Sequence, residues 1–413
     1  MTPRKRLDIG WRDLLFGMAQ CLMADKRAEI HAACQQSTAA PDQGLFFLSV
    51  RSGFDAYLQA AQFPPGSHIL VSAITIPDIL EIIRAHDLVP VPVDLDPLTL
   101  QPDPDSLERG LTHKTVALLV THLFGARIPV HPLVRFARRN GLVLLEDCAQ
   151  AYWGDGFTGH PASHVRMFSF GPIKHNTALG GGLLFIGDAL LREKVQRLHQ
   201  AYPVQRRRQF FKRLAKYGIV VLLNRPAPYT VLCVLWRLMG KSQDTLCYNT
   251  TRSFIGDGLL KKLRQQPCPA LLSLLSRRLR SDALARTECR QRTAAAFRCR
   301  APDLCCPGHG PQHSHWLFAV QVGNAGGLCQ QLRAAGFDAH LWPPSLCVVP
   351  PHRDLQDQVP TRVLALQRQM LFLPVYAEMG QARLDRLSLL VRQWARPGDS
   401  RLYSPHPLNS PSG

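Results

Sequence analysis

The sequence predicts an α/β protein, and three observations carry that prediction. Short apolar runs alternate with amphipathic stretches from His68 to Ile186, the pattern of βαβ units around a mostly parallel sheet. Polar residues follow several of these runs, where a sheet of this kind binds its ligands. The 413 residues, 46% hydrophobic and 19% charged, are enough for a sizeable core and for two or three domains.

In chain order, Trp11 to Ala24 and Ala28 to Gln35 carry a helical pattern without readable chemistry. The apolar runs are His68 to Ile74, Val89 to Leu95, Val116 to Leu123, Leu142 to Asp147, Val165 to Phe170 and Gly181 to Ile186. Between them, Ile76 to His86, Pro104 to Leu111 and Pro132 to Asn140 have helical spacing. Beyond Gly187 the chain turns helical and basic, and near Trp316 to Val322 strand character returns, followed by a helix over Gly327 to Ala335 and a run at Met370 to Pro374. The division expected is a helical segment over 1–44, a large α/β domain over 45–284 with a basic helical insert at 200–245, a small α+β domain over 285–398, and a Pro- and Ser-rich disordered tail over 399–413.

Lys and Arg outnumber Asp and Glu by 49 to 30, a formal charge of +19. Such a balance favours anionic partners. Arg206, Arg207, Arg208, Lys212, Arg213 and Lys216 precede an apolar stretch broken by Asn224, Arg225, Pro226 and Pro228. That arrangement is either a solvated helix face or a peripheral contact with an anionic membrane. No nucleic-acid-binding signature accompanies the charge, so nucleic acid is not an expected partner. No uninterrupted spanning stretch and no secretory start are seen, and twelve scattered cysteines without a Cys-x-x-Cys pair suit reduced thiols; a cytoplasmic location is expected. Cys305, Cys306, His309, His313 and His315 match no common zinc spacing and read as a loop, so no metal is expected.

The chemistry gathers at strand ends. His122, Asp147 and Ser169 each lie at or just after a run, Lys174 follows Ser169 by five residues, and Gly180-Gly181-Gly182 comes next. Phosphate loops, nucleophile elbows, dinucleotide fingerprints and His-Glu-x-x-His helices are all missing from the sequence. An Asp, a Ser and a Lys in this order suit pyridoxal phosphate. The Lys amine forms a Schiff base with its aldehyde, the Asp keeps the pyridine nitrogen protonated, and the Ser holds the phosphate.

The segments Glu146-Asp147-Cys148-Ala149-Gln150-Ala151, Phe168-Ser169-Phe170 with Lys174, and Gly180-Gly181-Gly182 resemble the pyridoxal-phosphate sugar aminotransferases of the DegT/StrS type. So, in order, do Ser49 to Tyr57, Ser72 to Ile76, Val91 to Asp96 with Asp103-Pro104, Thr121 to Gly125, Tyr248-Asn249 and Phe372 to Tyr376. The likeness runs from about residue 45 to 398 and is sharpest from Val89 to Phe185. It implies the aspartate-aminotransferase-like fold type I and a homodimer. Lys174 would be the catalytic Schiff-base lysine. Asp147 would partner the pyridine nitrogen, Gln150 would lie against the ring, and Ser169 would bind the phosphate. Ser52, Gly53 and His122 would also contact the cofactor, and Asn249 would reach the phosphate of the neighbouring subunit. The implied reaction moves an amino group from an amino acid, glutamate above all, to a nucleotide-linked keto sugar in polysaccharide or secondary-metabolite sugar biosynthesis.

The sequence departs from the family pattern at Phe54, Asp55 and Ile76, and the Arg of the family's Tyr-Asn-Tyr-Arg motif is displaced to Arg252. Phe54-Asp55 stand where relatives place Thr-Ala, and a carboxylate pointing inward there would repel a phosphate. Ile76 replaces a ring-stacking aromatic. Two other readings stay open: a sugar dehydratase, which a lysine at 174 disfavours, and a non-catalytic or regulatory protein at a membrane surface.

Overall fold

The computed structural model describes residues 1–23, 27–38, 44–240, 244, 258–310 and 312–394. Its helices are α1 (Trp11–Leu22), α2 (Arg27–Gln35), α3 (Val50–Ala61), α4 (Pro77–Ala85), α5 (Pro104–Gly110), α6 (His131–Arg139), α7 (Ala189–Gln200), α8 (Arg207–Leu223), α9 (Pro226–Leu238), α10 (Leu259–Leu263), α11 (Pro269–Leu279), α12 (Ala283–Arg300), α13 (Ala325–Ala334), α14 (Thr361–Gln369) and α15 (Gln381–Trp394). Its strands are β1 (Gly44–Phe47), β2 (His68–Ser72), β3 (Ile74–Thr75), β4 (Val89–Val93), β5 (Thr115–Thr121), β6 (Val143–Asp147), β7 (Val165–Ser169), β8 (Gly182–Ile186), β9 (Phe318–Gln321), β10 (Cys347–Val348) and β11 (Met370–Leu373).

Seven strands form one sheet in the order β1-β8-β7-β6-β5-β2-β4. The five from β4 to β7 are parallel, and β8 and β1 are antiparallel additions at one end. Nearly every residue of β2, β4, β5, β7 and β8 is buried, and apart from Arg166 in β7 these strands are apolar runs, polar only at their ends, instead of alternating patterns. One face packs on α3, α4 and α7, and the other on α5 and α6. Local signals set the helix starts: Ser49, Asp103 and Asp188 cap α3, α5 and α7 by accepting from a backbone amide three residues on. Pro lies at the first positions of α4, α5 and α6, where its missing N–H costs nothing.

The smaller unit has its own core, in which Phe297, Val320, Leu328, Leu371 and Leu387 are buried. The antiparallel pair β9–β11 lies at its centre. A further cluster, including Ile74, Leu95, Phe124 and Phe372, joins it to the large sheet.

Among the described residues of 1–44, α1, α2 and the arm before them are not a separate appendage. Leu14 and Cys34 are fully buried in the large core, and α1 and α2 both pack on α11. The arm before α1 runs from Thr2, which bridges to Phe337 in the small unit, to Asp8, which pairs with Arg278 and Arg286. The sequence showed the helices and gave no sign of this route. The expected tail, 399–413, lies outside the described residues.

Candidate functional site

At the carboxyl ends of β5, β6 and β7 opens a cavity of about 450 Å³. Asp147, Gln150, Ser169 and Lys174 all line it, together with Ile76. The fold thus brings Asp147, Gln150, Ser169 and Lys174, which the sequence spacing grouped, together with Ile76 into one space.

Asp147 ends β6, and its Oδ1 accepts from the Ala149 amide at 2.9 Å. Burial pushes its carboxyl pKa up, against that bond and the nearby Lys174. Burial also brings the Lys174 amine down to about 8; the Asp147 charge resists this and Arg51 assists it. The Lys174 Nζ lies 4.2 Å from the centre of the Trp316 ring. Gln150 is fixed by its Oε1, which accepts from the Phe124 amide at 2.7 Å.

Ser169 sits beside the start of α3 because of two pairings. Ser169 faces Gly182 across β7–β8, and Ser49 bridges to Gly181. The glycines are required for that approach: a Cβ on Gly182 would lie 2.3 Å from the Val50 nitrogen, and Gly181 has φ of +93°. The result is a hydroxyl close to a helix N-terminus, with Arg51 and Arg213 also lining the cavity. Arg213 donates to the Leu179 carbonyl at 3.2 Å, next to Gly180.

Three cofactor contacts expected from sequence do not line this cavity. His122 is buried with Nε2 2.9 Å from Glu146 Oε1, and its Nδ1 accepts from the Ile128 amide. Its neighbour Thr121 takes the cavity position instead, and Thr121 Oγ1 is buried with no hydrogen-bond partner. Ser52 turns its hydroxyl to Ser49 at 3.0 Å, and Gly53 is packed against Leu184 and Phe47. Ser49, Val50 and Arg51 supply the lining at the start of α3. Asn249 lies outside the described residues.

Asp55 points away from the cavity. It is fully buried, bonded to Arg264 at 2.9 and 3.1 Å and to His86 at 2.9 Å. Burial raises its carboxyl pKa, but these hydrogen bonds outweigh burial and hold it below the usual value. Phe54 is core. Neither departure from the family pattern therefore faces a phosphate.

The His309, His313 and His315 rings stack with centroids 4.2–6.3 Å apart. Among the described residues the group with metal-ligand proximity is His122, Glu146 and Cys148, whose atoms already bond one another.

Residues 45–221 match the DegT/DnrJ/EryC1/StrS aminotransferase family. The resemblance read from the sequence is thereby borne out. Within this DegT-type region the chain is 36% identical over 152 residues to the "Pleiotropic regulatory protein" of Geobacillus stearothermophilus, covering 35% of this chain and 41% of that one. It is 32% identical over 144 residues to the L-glutamine:2-deoxy-scyllo-inosose aminotransferase of Micromonospora echinospora, covering 34% of each. These alignments span well under half of either relative. The fold extends further: the aminotransferase TlmJ from Streptoalloteichus hindustanus superposes with a TM-score of 0.69 at 16% identity, covering 95% of this chain and 98% of that one. NtdA from Bacillus subtilis, solved with bound cofactor pmp, superposes at 0.64 with 17% identity over 92% and 81%. The expected fold type I architecture is present, and the matched family agrees with the pyridoxal-phosphate expectation.

The residues present fit that cofactor. The Asp147 carboxylate, the Ser169 hydroxyl beside a helix start, the guanidinium groups of Arg213 and of Arg51 (paired with Asp78), an unpartnered Thr121 hydroxyl and a neutralisable Lys174 line one cavity. Sequence reasoning missed Thr121, Arg51 and Arg213. Strand alternation, which sends Thr121 and His122 to opposite sides, was the available signal for the first.

Proposed function

We propose that the chain is a pyridoxal-phosphate-dependent aminotransferase acting on a keto sugar or related cyclic ketone. The observation that carries this is that Lys174, Asp147 and Ser169 line one cavity, where the half-buried Lys174 amine is brought down to about 8. Bound pyridoxal phosphate would supply an electron sink for the substrate's α-carbon. Asp147 would hold the pyridine nitrogen, while Ser169, Arg51 and Arg213 would hold the phosphate. Ile76 would pack the ring without a π face. Lys174, as a neutral amine near pH 8, accepts and returns a proton at Nζ. Leu346, Val220 and Leu223 give the same cavity apolar walls. Glutamate as donor, a nucleotide-linked acceptor, a homodimer and a cytoplasmic location belong to the same reading.

A lipid contact also belongs to it. No single helix is long and apolar enough to cross a membrane, and α8 and α9 are bent 99° apart. Val231, Val234, Leu235 and Leu238 form an exposed stripe on α9, and Ile219 and Leu222 one on α8. No acidic residue occurs from 194 to 243. An anionic bilayer suits both features.

The test is an absorbance spectrum of the purified protein, followed by addition of glutamate. A visible band that glutamate bleaches, with 2-oxoglutarate released, is expected. A chain that takes up no pyridoxal phosphate overturns the reading and favours a non-catalytic, regulatory role.

A further inference from the structure

Lys174 also borders a second cavity, of about 460 Å³, which Asp147 and Ser169 do not line. Its charged residues differ in how they are paired. Arg278 donates to Asp13 Oδ2 at 2.7 Å and to the Asp8 carbonyl at 2.5 Å. Arg286 Nε lies 2.8 Å from Asp8 Oδ1, and its Nη2 donates to Asn176. Those two are neutralised in place, and Arg4 is likewise paired with Asp338.

Arg290 and Lys5 are different. Arg290 donates one bond, from Nη2 to Thr287 Oγ1 at 2.7 Å, and its Nε is buried with no hydrogen-bond partner. Lys5 donates to the Ile173 carbonyl at 2.8 Å and lies over the Trp316 ring at 4.1 Å. Among the described residues neither has a carboxylate within ion-pair distance. Asp8 and Glu378 are the acidic residues lining the cavity, and Asp8 is already shared by two arginines. Burial lowers the Lys5 amine, and Lys174 and Arg290 lower it further by repulsion. Asp8 opposes these effects at Lys5, and Asp8 and Glu378 oppose burial at Arg290, all from beyond ion-pair distance. A desolvated oxyanion between the two cations would give each a direct partner.

We propose that this second cavity is an oxyanion site in which Arg290 and Lys5 hold a carboxylate or phosphate group of the substrate. Lys174 and Trp316 are common to both cavities, so a molecule anchored here presents its next atoms to Lys174. The inference rests on the aminotransferase reading for what happens at that end. Two sources share the chemistry: the carboxylate of the amino donor and the phosphate of a phosphorylated or nucleotide-linked acceptor.

The experiment is isothermal titration of the full chain, with and without pyridoxal phosphate, using glutarate and inorganic pyrophosphate. Glutarate has neither amine nor ketone and so cannot turn over. At least one anion is expected to bind the wild type, and Arg290→Gln is expected to weaken it by about 30-fold. Arg290→Lys should lose less, since it keeps the charge but not the planar fork. Arg292→Gln, on an exposed position of the same helix, should bind as wild type. Lys5→Gln provides a second variant if Arg290→Gln does not fold. Glutarate sensitivity identifies the donor carboxylate, and pyrophosphate sensitivity the acceptor phosphate. The proposal is overturned if neither anion binds, or if both bind Arg290→Gln and Lys5→Gln as they bind wild type. A chain that binds glutarate through Arg290 but takes up no pyridoxal phosphate keeps the oxyanion site and loses the aminotransferase reading.

Discussion

The sheet-side wall of the cavity and its helical wall were assembled in different ways. Asp147, Ser169 and Lys174 sit within 28 positions of one another on adjacent strand ends, so their sequence spacing already encodes their proximity. Arg213, Val220, Leu223 and Tyr229 come from α8 and α9, two helices whose charges and bend read as surface features. The first wall holds reacting groups; the second shapes and charges the space opposite. A local motif thus reveals the reacting groups, whereas those facing them across the cavity arrive through tertiary packing.

The comparison breaks most visibly at Lys174. Lys174→Ala should abolish the visible band of the covalently held cofactor and cut turnover by on the order of 10⁴-fold. Asp147, Ser169 and Arg213 remain, so dialysis should still retain some cofactor. A variant that keeps both band and rate would show that the sheet-side wall is not the reacting one.

Arg213→Gln tests whether the helical wall reaches the phosphate. Its affinity for pyridoxal phosphate should fall about tenfold, the worth of one charge-assisted bond, while affinity for pyridoxal stays unchanged. An equal loss for both ligands would make Arg213 a packing residue. The outer face of the same wall has a smaller expected effect. Leu235→Ser and Leu238→Ser should each reduce co-sedimentation with phosphatidylglycerol vesicles by roughly fivefold and leave the visible band intact. Binding to neutral phosphatidylcholine as tight as to the anionic vesicles would remove the lipid contact. So would a variant that binds vesicles normally and changes its oligomeric state instead.

Much of the fold was legible because the strands are buried on both faces, which leaves them as uninterrupted apolar runs with polar ends. Other features had no such signature. His122 and Thr121 differ only in the side of the strand end to which they point, and that choice assigned one to Glu146 and the other to the cavity. Asp55 looks hostile to a phosphate until its partners, Arg264 more than two hundred positions away and His86, are known. The arm carrying Arg4 and Lys5 is short, basic and without periodicity, so only the folded chain shows that it borders both cavities.

The finest comparison lies in the proton equilibrium of Lys174, where one group from the sheet and one from the start of α3 act in opposite directions. Burial lowers its pKa from 10.5 to about 8, Asp147 from the sheet pulls it upward, and Arg51 beside the α3 start pushes it down. Because the folded value is depressed, the unfolded chain binds more protons between about pH 8 and 10.5, and stability gained from this group rises across that window. Below about pH 8 the full cost of the buried ammonium is present. The neutral amine is the form that reacts, so the initial rate of cofactor uptake should climb with pH and level off above about 8. Asp147→Asn removes the upward pull and should move the midpoint lower. Arg51→Gln removes a repulsion and should move it higher. Stopped-flow growth of the visible band across the pH range measures all three. Midpoints that coincide in wild type and both variants would mean that neither Asp147 nor Arg51 sets the charge of the lysine, and that burial alone does.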